Sequence, residues 1–169
     1  MKKAVLISIF AVLVITGCAN KKTNALPAAK ITQEEPFVIP DGVDVVIREK
    51  LFIGQVNDIY RNRKEYLGKT IRLEGLFRSG EVGERTYCFV IRKGPGCCGD
   101  DGQVGFEVYW DQPGTASTGG QKKAYPKIDD WVEAQGELRR YEEDGRSYLY
   151  LALQDLQVLE KRGAEFVSQ

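Results

Sequence analysis

The chain has no histidine. That absence removes the usual general base, the commonest metal ligand and the usual pH switch together. Any catalytic or metal-site reading must be built from Cys, Asp, Glu, Lys or Tyr. Net charge is also lacking: 24 basic residues balance 24 acidic ones. Without the first two lysines the balance is about −2, so there is no electrostatic footprint for a polyanion and no nucleic-acid partner is expected. Long apolar runs are missing as well. The one that exists, Ala4 to Ile15, is interrupted only by Ser8 and is too short for a membrane span, which needs ~20 residues. There is no Ser-His-Asp set, no phosphate loop and no paired carboxylates with an evident cleft, so no enzyme activity is expected.

What stands at the amino terminus is an address. Lys2 and Lys3 precede the apolar run, and Ile15-Thr16-Gly17-Cys18 ends it. Small residues before a Cys make this a lipobox: residues 1–17 read as a lipoprotein signal peptide, and Cys18 as the lipidated first residue of the mature chain. Acyl chains contribute ~0.8 kcal/mol per buried CH₂, and two or more anchor stably. The expected location is extracytoplasmic, with the lipid membrane held through Cys18, at the outer membrane if the cell is Gram-negative. Residues 18–36 then read as a lipidated terminus and flexible tether, since their Lys, Asn, Ala and Pro cannot bury enough surface to order. Such a chain has an r.m.s. span of ~23 Å.

Residues 37–163 are expected to form one domain, and 164–169 a C-terminal tail. Val43, Val45 and Ile47 alternate as a short strand. Residues 54–67 have a helical stripe of Val56, Ile59, Tyr60 and Leu67, with Gly68 where a C-terminal cap belongs. Five strands follow: Thr70–Arg78, Thr86–Lys93, Val104–Trp110, Trp131–Tyr141 and Ser147–Leu159, the last bent near Gln154-Asp155. Asp144-Gly145 is a hairpin turn, and 111–129 a long loop. Gly75 and Gly136 inside strands allow sharp bending. The predicted fold is mainly β: a small five-stranded OB-like barrel preceded by one α-helix. Glu142-Glu143-Asp144 reads as a solvated hairpin tip. Tyr109, Trp131, Tyr141, Tyr148 and Tyr150 fill the barrel, flank it or cover its outer face. Arg72, Arg78, Arg139 and Arg140 lie on solvated faces.

The segment that could carry chemistry is Gly94-Pro95-Gly96-Cys97-Cys98-Gly99-Asp100-Asp101-Gly102, expected as a loop between the second and third strands. Three readings stand. Thiolates suit Zn²⁺ or Cu(I), with Asp as an added oxygen ligand and Cys88 as a third thiol if it faces the loop. Alternatively, Cys97 and Cys98 form a readily reduced vicinal disulfide, or Cys88 bridges to one of them. In the third, the cysteines pack as small apolar groups beside an Asp-Asp-Gly turn. Cys88 by itself reads as core, since it shares a strand face with Val90.

Several stretches resemble the C-terminal domain of the YcgQ-like bacterial proteins. They are Phe52-Ile53 with Gln55–Tyr60, Tyr66-Leu67-Gly68-Lys69, Ile71–Gly75, Cys97-Cys98 followed by Asp101 and Val104-Gly105, and Trp131–Leu138. The resemblance covers about residues 45–160, and its specific part is Cys-Cys-x-x-Asp. It implies a membrane-associated protein of no established activity that accompanies a permease. It also implies a link to metal, especially zinc, with Cys97, Cys98 and Asp101 as the ligand positions. Those relatives hold the domain on transmembrane helices; here lipid at Cys18 takes that part. The functional expectation is a non-enzymatic binding module, serving zinc or a permease through the Cys97-Cys98 loop. Its rivals are a thiol-disulfide redox protein using the same pair and a structural envelope protein that docks partners on the barrel face.

Overall fold

The computed structural model describes residues 37–83, 85–96, 99–110 and 124–168. Its elements are β1 (Val45–Ile47), a 3₁₀ turn (Glu49–Leu51), α1 (Phe52–Arg61), α2 (Arg63–Tyr66), β2 (Thr70–Val82), β3 (Arg85–Gly96), β4 (Gly99–Tyr109), β5 (Trp131–Glu143) and β6 (Arg146–Val158). The strands run in the order β1-β2-β3-β4-β6-β5, and β5 pairs back onto β2. The last pairing closes β2 to β6 into a five-stranded barrel. All neighbours in the ring are antiparallel except β4 and β6. One parallel contact in a closed Greek-key ring is the OB arrangement, as expected.

Alternation builds the interior. Ile71, Leu73, Phe77, Cys88, Val90, Phe106, Val108, Val132, Ala134, Leu138, Leu149, Leu151 and Leu153 all point inward and are buried in one cluster. The glycines expected to bend the sheet act by close approach. A Cβ on Gly75 would stand 2.5 Å from the Ile91 carbonyl oxygen, and one on Gly136 would stand 2.7 Å from that of Ala152. The bend expected in the last strand is a bulge: Gln135 faces Asp155 while Gly136 faces Leu153, leaving Gln154 unmatched. Asp144 (φ 50°) and Gly145 (φ 73°) make the left-handed two-residue turn that suits a twisted hairpin.

Helix α1 starts at Phe52, two residues before the expected start, and buries Phe52, Ile53, Val56 and Ile59 against the barrel. Each such side chain contributes ~1.5–3 kcal/mol on burial. The helix breaks at Asn62, where Asp58 accepts from Asn62 at 2.7 Å and from the Tyr66 hydroxyl at 2.5 Å. Tyr60 and Leu67, expected on the buried stripe, are 41% and 38% exposed. Gly68 does take the cap conformation at φ +84°.

Beyond Leu76↔Ile91 the β2–β3 pairing stops, and the two strands part. Chain from both ends fills the opening. β1 pairs in parallel with β2 at Ile71–Leu73. Residues 164–167, expected as part of a tail, dock on β3: Lys93 N–H donates to Glu165, and Val167 N–H donates to Lys93, each at 2.9 Å. Val167 is buried.

Arg92 sits at this seam, 2% exposed. Its Nε donates to the Glu74 carbonyl at 2.9 Å, and its Nη1 to Glu49 Oε2 and the Ala164 carbonyl, both at 3.0 Å. The guanidinium lies between the rings of Phe52 (4.9 Å) and Trp131 (4.8 Å). Glu49 also accepts from Ala164 N–H at 2.7 Å. Removing Arg92 takes the donor from two backbone carbonyls, at ~1–3 kcal/mol for each left unsatisfied and buried, and empties the space between Phe52 and Trp131. Arg92→Ala is expected to lower the urea midpoint by an amount equivalent to about 3 kcal/mol; a loss under about 1 kcal/mol would show that the seam closes without it.

Candidate functional site

Structure replaces the expected Gly-rich loop with the end of a hairpin. Gly94 faces Gly102 and Gly96 faces Gly99, with a register irregularity between Gly94 and Gly96. The run therefore belongs to two paired arms, and the chain linking Gly96 to Gly99 is Cys97-Cys98. These two residues lie outside the described set, as does Cys18. Asp101 lies within β4. Among the described residues no group of three or more His, Cys, Asp or Glu is placed to hold a metal.

Cys88 belongs elsewhere. It lies eight residues before Gly96 on β3, roughly 26 Å at the rise of an extended strand. It is 3% exposed inside the barrel, and burial pushes its thiol up to about 11. A disulfide needs Cα atoms within about 7 Å, and Gly96, the last described residue of β3, lies well beyond that from Cys88.

A second constellation lies on the outer face of the barrel. Tyr109 and Tyr150 point away from the interior, opposite in phase to Val108 and Leu151, yet they are only 7% and 3% exposed. One rung of the sheet runs Phe89–Glu107–Tyr150–Arg139. Above it Tyr141 stacks on Tyr148 at 5.3 Å and meets Tyr150 edge-on at 5.8 Å. The Tyr141 hydroxyl donates to Glu107 at 2.7 Å, and Tyr109 meets the same oxygen at 3.4 Å.

The two hairpin ends close over these rings. Arg85, the first residue of β3, pairs through Nη1 with Glu143, the last of β5. The Tyr87 hydroxyl reaches the same carboxylate at 3.2 Å. The Arg85 guanidinium lies 4.6 Å from the Tyr87 ring centre and 4.8 Å from that of Tyr141. This clasp spans the outer face of β4 and β6, between the β2–β3 and β5–β6 turns. OB barrels take ligands with the two turns that flank it, on the face of the strands numbered β3 and β4 here.

The expectation that tyrosines cover the outer face holds for Tyr109, Tyr141, Tyr148 and Tyr150. Trp131 instead packs with Leu76 and Ile91 in a small second core. Glu143 is not a solvated tip residue: its side chain is 29% exposed and paired, while Glu142 is 71% exposed. Arg139 and Arg140 are exposed as expected. Arg72 and Arg78 are half-buried and paired with Glu133 and Asp129. Arg85, Tyr87 and Glu107 gave no signal in the sequence, because their partners lie far along the chain.

Two outcomes follow from this chemistry. Cys88 should stay unlabelled by a thiol reagent in the native protein and react once urea unfolds it, which mass mapping of the labelled peptide reads directly. Burial holds the Glu107 carboxyl above its ordinary 4.5, against the opposing effect of the Tyr141 hydrogen bond. A raised carboxyl contributes stability below its ordinary value, and that contribution is lost as pH rises through its folded value. The Tm of Glu107→Gln relative to the parent should therefore rise between pH 4 and pH 7; a difference that stays flat or falls would contradict the burial.

No curated protein matches the chain. One family model does, that of the DUF1980 C-terminal domain, an uncharacterised domain family, and it aligns with residues 25–167. That match takes in the barrel, the hairpin carrying Cys97-Cys98 and the docked C-terminal segment. The chain therefore belongs to the DUF1980 C-terminal domain family.

Proposed function

We propose that this protein is a lipid-anchored, extracytoplasmic binding module without catalytic chemistry of its own, which offers Cys97 and Cys98 to a thiophilic metal ion, zinc above all. The observation that carries the reading is the pairing of Gly96 with Gly99. It supports the reading because the two residues joining these paired strands are, in the sequence, Cys97 and Cys98. Zinc is taken up by thiolate sulfur and accepts a carboxylate oxygen, so Asp101 is the natural third donor. Two sulfurs and one carboxylate leave the fourth tetrahedral position for water or for a donor on a partner. An open position suits delivery to, or receipt from, a membrane permease better than permanent storage. The lipobox at Cys18 supports the reading by holding such a module beside a membrane. Among the described residues no helix is long and apolar enough to cross one. Because the metal competes with protons for thiolates, affinity should fall as pH drops.

The test uses residues 19–169 made without lipid and purified anaerobically. Bound metal and free thiols are measured on the same sample. About one zinc per chain is expected, lost in the Cys97→Ser/Cys98→Ser double variant. Metal-free protein with this pair oxidised would transfer the assignment to thiol-disulfide exchange. Metal-free protein with both thiols reduced and unreactive would leave the pair a purely structural part.

A further inference from the structure

The surface where the chain enters the domain is not built like the rest of the barrel. Phe37, Val38 and Ile39 are 53%, 76% and 49% exposed in succession. Folded domains rarely leave three consecutive large apolar residues to water, and such a run marks an interaction site. The Arg48 guanidinium lies 5.3 Å from the Phe37 ring centre, and the Arg48 N–H donates to the Gln55 side chain at 2.8 Å. Gln55 lines a groove with Leu51, Gly54 and Asp58, and those last three also line the next depression, which reaches Arg61. Arg61, Arg63 and Lys64 border a third. The surface is therefore continuous from Phe37 to Lys64. Helix α1 gives its apolar side to the barrel, through Phe52, Ile53, Val56 and Ile59, and leaves Gly54, Asp58 and Arg61 outward in line with Leu51. From Arg48 to Lys69 six basic residues stand against three acidic ones, and Glu49 among the latter is paired with Arg92. The chain from Cys18 onward carries about −2, so positive charge is concentrated on this side.

We infer that this surface lies on an anionic lipid bilayer, with Phe37 to Ile39 and Leu51 entering the headgroup layer and Arg48, Arg61, Arg63 and Lys64 meeting lipid phosphates. The inference rests on the reading of Cys18 as the lipid anchor, and it names the side of the domain that faces that lipid. Two arguments choose a bilayer over a protein partner. The patch is the point at which the chain from Cys18 enters the domain, and residues 19–36 between them reach at most about 60 Å in any conformation. A surface held that close meets the bilayer at high effective concentration, so a modest affinity suffices. The second argument is composition. An apolar strip bordered by arginine and lysine is what interfacial segments use, one part entering the acyl boundary and the other neutralising headgroups. Neither Cys97-Cys98 nor a metal takes part.

Residues 19–169, the whole chain downstream of the lipid, serve for the test, because acyl chains would carry the protein onto any vesicle. Co-sedimentation with vesicles of phosphatidylcholine containing about one third phosphatidylglycerol is compared with phosphatidylcholine alone. Half of the protein should be bound at or below about 1 mM of the mixed lipid, with affinity for the neutral vesicles at least tenfold lower. Val38→Asp/Leu51→Asp should weaken binding to the mixed vesicles at least fivefold, and so should Arg61→Glu/Arg63→Glu. All four positions are exposed, so the fold does not depend on them. Arg139→Glu/Arg140→Glu makes the same change in charge at exposed positions of β5 and should leave binding as it was. Absence of binding to the mixed vesicles overturns the surface. So does binding that Val38→Asp/Leu51→Asp leaves untouched, or that the β5 variant weakens as much as Arg61→Glu/Arg63→Glu. The anchor is judged apart from this, by the mass of the mature amino-terminal peptide from cells: a Cys18 without acyl chains overturns the anchor, whereas failure on vesicles overturns the docking surface alone.

Discussion

The fold turns on one guanidinium at the seam where β2 and β3 part. A closed barrel of five strands has to splay somewhere, and splaying exposes backbone groups that had partners. Arg92 answers several of those demands at once. It takes the Glu74 carbonyl from β2 and the Ala164 carbonyl from the docked C-terminal segment, and holds Glu49 at the entrance to α1. Three stretches far apart in sequence meet on one side chain. Its charge is tolerated because Phe52 and Trp131 face it with their π-surfaces while Glu49 and Glu74 balance it. The arrangement also explains why the domain extends beyond its five strands at both ends: β1 and residues 164–167 serve as the missing neighbours of β2 and β3.

With the seam closed, two regions of the barrel stand apart from it. One is the end of the β3–β4 hairpin, reached by long paired arms. The other is the outer face of β4 and β6, beneath the Arg85–Glu143 clasp. They differ in chemistry. The first is glycine paired with glycine across the ladder; the second gathers tyrosine rings, hydroxyls and one guanidinium. Between them the barrel interior is packed with apolar side chains.

The barrel strands were legible because each shows a two-residue alternation that an interior face enforces. Ile71 and Leu73, or Val132 and Ala134, need no tertiary context to be read as inward. The Asp144-Gly145 turn and the Gly68 cap were legible because few other residues accept positive φ. The hairpin arms were not. Gly94, Pro95, Gly96, Gly99 and Gly102 have loop composition, and only the pairing across the ladder reveals them as strand. Nor was Arg92, since a charged residue between apolar neighbours reads as a solvent-facing position of a strand. The tyrosines were noted one by one, but their gathering depends on β4 meeting β6 in parallel, a contact between strands distant in sequence. Local pattern reports which way a residue points. It does not report what waits there.

The pairing of β2 with β5 has a bearing on how the chain reaches this state. Thr70 must find Glu137, and Lys93 must find Phe166, before the ring and the seam are complete. The chain has to be present as far as β5 before β2 gains the neighbour that closes the ring. Closing such long loops ahead of any reward is slow, with mixed and β topologies of this kind folding in roughly milliseconds to seconds. A chain emerging amino terminus first would hold β2, β3 and β4 as an open sheet with free edges until β5 and β6 arrived. For that interval its unpaired strands invite association with other chains, and a mechanism that shields them during synthesis would act on this protein more than on one that folds locally.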